Sequence, residues 1–103
     1  MVAFNDLLAT GVLRDLEERG VAVPGTVSVT GFDDVVGADF CHPPLTTVAA
    51  PVEEAGRMLV DMLLAGDDGA ADPRQVVVLP TRLHIRDSTG PACSGPGLIA
   101  GGA

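Results

Sequence analysis

An amphipathic stretch between two short apolar runs restricts the fold of this chain more than anything else in it. From Leu7 to Arg19 the apolar residues Leu8, Val12 and Leu16 recur every four positions, with Ala9 and Leu13 beside them. That spacing predicts a helix with one buried face. Asp15, Glu17 and Glu18 take the wet side, and Arg19-Gly20 supplies a cationic last turn followed by a C′ glycine. Asn5 and Asp6, just before it, are both favoured N-caps. On one side lies Met1-Val2-Ala3-Phe4, which reads as the end of a strand. On the other lies Val27-Ser28-Val29-Thr30-Gly31-Phe32, a β-rich run preceded by Pro24-Gly25, a pair suited to the centre of a type II turn. Strand, helix and strand in that order form a βαβ unit, which calls for a parallel sheet and a right-handed crossover.

The second run ends in Gly31-Phe32-Asp33-Asp34. In open α/β sheets, ligands sit in the crevice beyond the carboxyl ends of the strands. Gly31 permits a close approach that a side chain would block, and Asp33 is then delivered to the rim. The plainer reading is that Asp33 and Asp34 cap the turn or helix that follows. The strand alone leaves both open.

Residues 33 to 44 lack periodicity, and Pro43-Pro44 forces an extended path. Leu45-Thr46-Thr47-Val48 is a short strand candidate. Pro51 sits well at a first helical position, Glu53 and Glu54 complement the positive end of the dipole, and Val52, Ala55, Leu59, Met62 and Leu63 share one face up to Gly66. A second helix is therefore expected over 51–65. Gly66 to Pro73 reads as a loop without the oxygen spacing of a calcium site. Gln75 to Leu79 reads as an apolar strand. Leu83 and Ile85, alternating with Arg82, His84 and Arg86, suggest a half-exposed edge strand with the charged residues outward. From Gly90 to Ala103 the chain has little to bury and is expected to be a disordered tail.

Composition narrows the function. The chain has 103 residues and a net charge of -8, and its six basic residues are all arginine. Nucleic-acid affinity rests on phosphate neutralisation, so direct contact of this chain with nucleic acid is not expected. No run is long and apolar enough for a membrane span, and Cys41 and Cys93 suit a reduced, cytoplasmic setting better than a disulfide. Cys41-His42 has no second ligand pair at a zinc-like spacing, so no metal is expected there. Ser28, His84 and Asp33 could be written as a triad, but Ser28 is not on a nucleophile turn. No cofactor is expected.

Taken together, several strings resemble LacI/GalR-type transcriptional regulators. They are Phe4-Asn5-Asp6-Leu7-Leu8-Ala9-Thr10-Gly11, Val23-Pro24, Val27 to Asp34, Pro43-Pro44-Leu45-Thr46-Thr47-Val48, Pro51-Val52-Glu53-Glu54 and Arg82 to Thr89. The resemblance covers about residues 2 to 89, the last third of the effector-sensing domain. It implies an α/β fold of the periplasmic-binding-protein-like type I, partial here, in which two subdomains enclose a ligand cleft. Residues 1–89 would be the carboxyl-terminal portion of that sensor, with helix 51–65 passing back to the other subdomain.

The resemblance also implies site residues. Asn5 and Asp33 would line the effector cleft: a carboxylate accepts two hydroxyl donors of a sugar, and an amide both donates and accepts. Phe32 would wall the cleft or belong to the core. Ala50 stands where some sugar-binding relatives place a polar side chain. Thr10, Phe40 and Cys41 would lie at a homodimer interface, or, for the last two, tuck into the core.

The expected function is that of an effector-sensing and dimerising fragment of a regulator, binding a small polar metabolite such as a sugar. The DNA-binding head would lie outside this chain, which reads as a truncated or mis-started piece. Two alternatives stand beside it. One is a solute-binding protein of a sugar transporter. The other is a small enzyme using Asp33 and Asp34 as a magnesium pair.

Overall fold

A computed structural model of the chain describes residues 1–66 and 75–92. The helix expected from the four-residue spacing is α1, Asp6–Glu18, and it starts and stops where its caps predict. Asn5 is the N-cap, its Oδ1 accepting from the Leu8 N–H at 2.9 Å. Gly20 sits just past the end at φ 71°, a left-handed position that suits glycine. Ala9 and Leu13 are buried on the inner face, and Val12 and Leu16 pack beside them.

Three short strands follow: β1 (Thr30–Phe32), β2 (Thr46–Ala49) and β3 (Arg82–His84), with α2 (Val52–Ala65) between the last two. The sheet order is β1-β2-β3. β1 and β2 run parallel, with Thr30 opposite Thr46 and Phe32 opposite Val48. β3 is antiparallel to β2, so the sheet is mixed rather than wholly parallel. The βαβ unit is present in reduced form. Its first strand is a single parallel bridge from Val2 to Thr30, held by Ala3 N–H to the Thr30 carbonyl (2.8 Å) and Thr30 N–H to the Met1 carbonyl (3.0 Å).

The second strand of that unit is shorter than 27–32 because another segment takes its place. Residues 86–89 pass beside it. Ser88 is fully buried; its carbonyl accepts from Val29 N–H at 2.9 Å, and its N–H donates to the Pro44 carbonyl at 2.9 Å. Its Oγ donates to the Val29 carbonyl at 2.6 Å and accepts from Thr46 N–H at 2.8 Å. This strap fills the gap between the chains leading into β1 and β2. The core beneath is small: Ala3, Ala9, Leu13, Val29, Ala38 and Leu45. Leu45 and Val29 are wholly enclosed.

Four further expectations are corrected. Pro24-Gly25 does not form a type II turn, since Gly25 is not at positive φ; Thr26 and Val27 N–H groups both point at the Ala22 carbonyl. Gln75 to Leu79 is not a strand, because no strand among the described residues runs beside it to complete a ladder. Val76 and Val78 there are 83% and 86% exposed. The face of α2 chosen by its spacing is not buried: the helix has no buried residue. In the last strand Arg82 is exposed as expected, but so are Leu83 and Ile85, whereas His84 and Arg86 are partly buried. Arg86 is drawn in because Asp34 and the Leu45 carbonyl accept from its guanidinium. At the start of the expected tail, Gly90 N–H donates to Ser28 Oγ at 3.1 Å, and Cys93 and the residues after it lie outside the described ones, as do 67–74.

Candidate functional site

At the carboxyl end of β1 the backbone turns sharply through two left-handed residues, Asp33 at φ 101° and Asp34 at φ 51°. Aspartate tolerates that region better than most side chains, yet each such residue costs on the order of 1–3 kcal/mol. The cost is met by a dense set of hydrogen bonds. Asp33 N–H extends the β1–β2 ladder to the Val48 carbonyl at 2.9 Å. Asp34 N–H donates to Thr47 Oγ1 at 3.2 Å, and Val35 N–H donates to Asp6 Oδ2 at 2.9 Å. Thr47 Oγ1 in turn donates to Asp6 Oδ1 at 2.7 Å.

Asp6 was expected as a possible cap. Asn5 takes that role, and Asp6 turns inward, fully buried. Gly31 makes room for it, because a Cβ at Gly31 would overlap Asp6 Oδ1. The close approach expected at this glycine therefore exists, and its occupant is the Asp6 carboxylate.

The two aspartates of the turn differ in what they meet. Asp34 Oδ1 accepts from Arg86 Nη1 at 2.9 Å, both side chains being about three-quarters covered or more (20% and 26% exposed). The same nitrogen donates to the Leu45 carbonyl at 3.0 Å. Arg86 N–H donates to Thr46 Oγ1 at 2.8 Å, which fixes the strap to β2. Asp33, by contrast, is exposed and has no side-chain hydrogen bond among the described residues. The pair is thus not arranged as two equivalent carboxylates around a magnesium ion, and no cluster of three metal-ligating side chains occurs among the described residues.

Asn5 is half-buried at the start of α1, next to Asp6, and Asp6 is bonded to the turn that carries Asp33. The segments 5–6 and 33–35 therefore meet at one edge of the sheet. The N-cap bond uses the Asn5 oxygen, so its Nδ2 donors are the part left for a ligand. Asp33 offers only acceptors. Phe32, opposite Val48 in the ladder, is 42% exposed and stands beside them.

The expected interface residues lie elsewhere. Thr10 is exposed on α1, its Oγ1 donating to the Asp6 carbonyl at 2.8 Å. Phe40 is 83% exposed. Cys41 turns inward against the core, its Sγ within reach of the Ala38 and Pro43 carbonyls at 3.1 and 3.3 Å. Burial pushes the Cys41 thiol above its ordinary value.

Comparison with known proteins fits this geometry. The sequence pattern of the periplasmic binding protein-like domain matches residues 1–89. The regulator DegA of Bacillus subtilis is 39% identical over 89 residues, and the lactose operon repressor of Rhizobium radiobacter is 39% identical over 88. The chain belongs to the periplasmic-binding-protein-like family, in its LacI/GalR branch. The match covers 86% of this chain but 26% of DegA, and 85% of this chain with 77% of the Rhizobium repressor.

Solved LacI-type structures superpose well. A lac repressor dimer bound to operator and an anti-inducer gives a TM-score of 0.79 at 35% identity, covering 86% of this chain and 31% of that one. An Arthrobacter LacI-family regulator in complex with lactose gives 0.76 at 37%, covering 86% and 34%. A CelR–cellobiose complex gives 0.77 at 36%, covering 84% and 27%. The LacI/GalR relatives are transcriptional regulators rather than enzymes. Among the described residues no helix is long and apolar enough to cross a membrane.

Sequence reasoning pointed at Asn5 and the Asp33-Asp34 tip and missed what holds that tip, namely Asp6, Thr47 and Arg86. A charged residue next to an N-cap and a threonine in a strand are ordinary in isolation. The one sequence signal was Gly31, whose missing side chain marks an approach without naming what approaches.

Proposed function

We propose that this chain is the effector-sensing and dimerising part of a cytoplasmic LacI/GalR-type transcriptional regulator, and that its effector is a carbohydrate. The observation that carries this reading is the left-handed turn at the end of β1, which leaves Asp33 exposed while committing Asp34 to Arg86. A backbone held in a costly conformation by surrounding bonds is a mark of a functional site. The free acceptors of Asp33 and the free donors of Asn5 complement the hydroxyl groups of a sugar. Two similar structures hold lactose and cellobiose, which supports the choice of ligand class.

Phe32 would offer an apolar wall to a sugar ring. Closure around the ligand would bias a two-state equilibrium whose other readout is DNA affinity, with the DNA contacts made elsewhere in the regulator. A second copy of the chain would pair through the surface around Thr10 and Phe40, with Cys41 beneath it, where the exposed Phe40 and the fully exposed Val36 leave apolar area uncovered.

The test is calorimetric titration of the complete regulator with lactose and cellobiose, for the wild type and Asp33→Ala. A hydrogen bond to a charged group contributes about 1.5–3 kcal/mol, so the variant should bind roughly 10- to 150-fold more weakly. Equal affinity removes Asp33 from the cleft.

A further inference from the structure

We propose that Asp6 is a positioning residue of the effector site, acting through Thr47 and the Val35 amide to hold the Asp33-Asp34 turn in its left-handed form. The inference rests on the reading of that turn as the rim of the effector cleft, and it names what holds the rim in place.

Asp6 is a carboxylate with no exposure to solvent. Burying such a group is costly unless its oxygens are fully hydrogen-bonded. Both are, and both bonds lead to the turn. Oδ2 accepts from the N–H of Val35, the residue immediately after Asp34. Oδ1 accepts from Thr47 Oγ1, whose single proton is thereby committed. That hydroxyl is then left as an acceptor, and it takes the N–H of Asp34. The donor order is therefore Asp34 N–H to Thr47 Oγ1–H to Asp6 Oδ1. One carboxylate thus serves two successive amides, one directly and one through a hydroxyl.

Neither a capping role nor a packing role requires this. The cap is Asn5, and an apolar residue of similar size would fill the space. The sheet is also shaped for it: a Cβ at Gly31 would overlap Asp6 Oδ1, so β1 leaves a slot for the carboxylate directly before the turn. Asp33 and Asp34 stand at φ 101° and 51°, a conformation the chain would leave if these amides lost their acceptors.

The deciding experiment is residue-resolved amide hydrogen exchange on the complete regulator carrying Thr47→Val or Thr47→Ser. Valine keeps the shape and removes the hydroxyl, whereas serine keeps the hydroxyl. For Thr47→Val the amide of Asp34 should exchange at least about tenfold faster, with Ala9 and Leu13 in α1 unchanged; Thr47→Ser should match the wild type. Asp6→Asn, which keeps volume but turns one acceptor into a donor, should accelerate the amides of Asp34 or Val35 and serves if Thr47→Val does not fold. Wild-type exchange at Asp34 in Thr47→Val, or at both amides in Asp6→Asn, overturns the proposal, and so does equal acceleration throughout the domain.

Titration with lactose and cellobiose separates this from the sugar assignment. Where the wild type binds either, Thr47→Val should weaken it about tenfold or more and Thr47→Ser less than threefold; equal affinity in Thr47→Val overturns the proposal. Where the wild type binds neither, the choice of these sugars fails, and the exchange comparison decides the positioning role by itself.

Discussion

α1 and α2 have nearly the same length, 13 and 14 residues, and both carry an apolar stripe, yet they end in opposite situations. α1 lies on the sheet, buries Ala9 and Leu13, and has its first turn tied to the β1 end through Asp6. α2 buries nothing, and Leu59, Leu63 and Leu64 are 67%, 77% and 78% exposed. Beside it runs the segment 75–79, which closes an apolar groove with Ala55, Met58, Leu59 and Met62 but has no strand partner among the described residues. An apolar stripe at helical spacing thus reports that a helix wants cover on one side. It does not report whether the same stretch of chain supplies that cover.

Chemical denaturation of the 103-residue chain exposes this contrast at its widest. Leu45→Ala, in the enclosed core, should cost about 2–5 kcal/mol. Leu59→Ala, on the arm formed by α2 and 75–79, should stay within about 0.5 kcal/mol. Equal costs would mean that α2 is packed, and the contrast would fail. In a complete regulator a rise in the Leu59→Ala cost would sharpen it, by locating the missing cover in the rest of that protein.

Arg86→Ala comes next. It leaves the partly buried Asp34 carboxylate and the Leu45 carbonyl without their donor, at about 1.5–3 kcal/mol. Because the loss falls on the strap and the turn, the melt should shift while helical circular dichroism of the folded state is kept. No shift would mark the Arg86–Asp34 pair as ornamental. Smaller still, Asn5→Ala removes the N-cap of α1 at about 1 kcal/mol. Asn5→Ser keeps a cap and should recover most of that stability but not the amide donors. If both variants bind sugar as the wild type does in the complete regulator, Asn5 is a cap and nothing more.

What could be read in advance follows the same division. α1, its N-cap, its C′ glycine at φ 71° and the cores of β1 and β2 are set by residues close in sequence, and their pattern was sufficient. Apart from the local turn at Pro24-Gly25, the errors concern partners far along the chain. Val27 to Val29 has the composition of a strand, but Ser88, 59 residues beyond Val29, fills the place beside it. Gln75 to Leu79 has strand composition without a neighbour to pair with. Leu83 and Ile85 face out because Arg86 is held inward by Asp34, 52 positions earlier. Asp6 looked like half of a capping pair, and only the fold brings Thr47 and Val35 to its two oxygens. The candidate site was legible at its exposed tips, which carry the chemistry, and not in the buried groups that aim them.

A crystal structure of the complete regulator with lactose or cellobiose bound decides whether Asn5 and Asp33 share one ligand. The expected structure has one ligand with Asp33 accepting from its hydroxyl groups and Asn5 Nδ2 donating to it, while Asp34 stays on Arg86. A sugar bound with neither Asn5 nor Asp33 in contact, or reaching only one while the other faces away across the sheet, would contradict it.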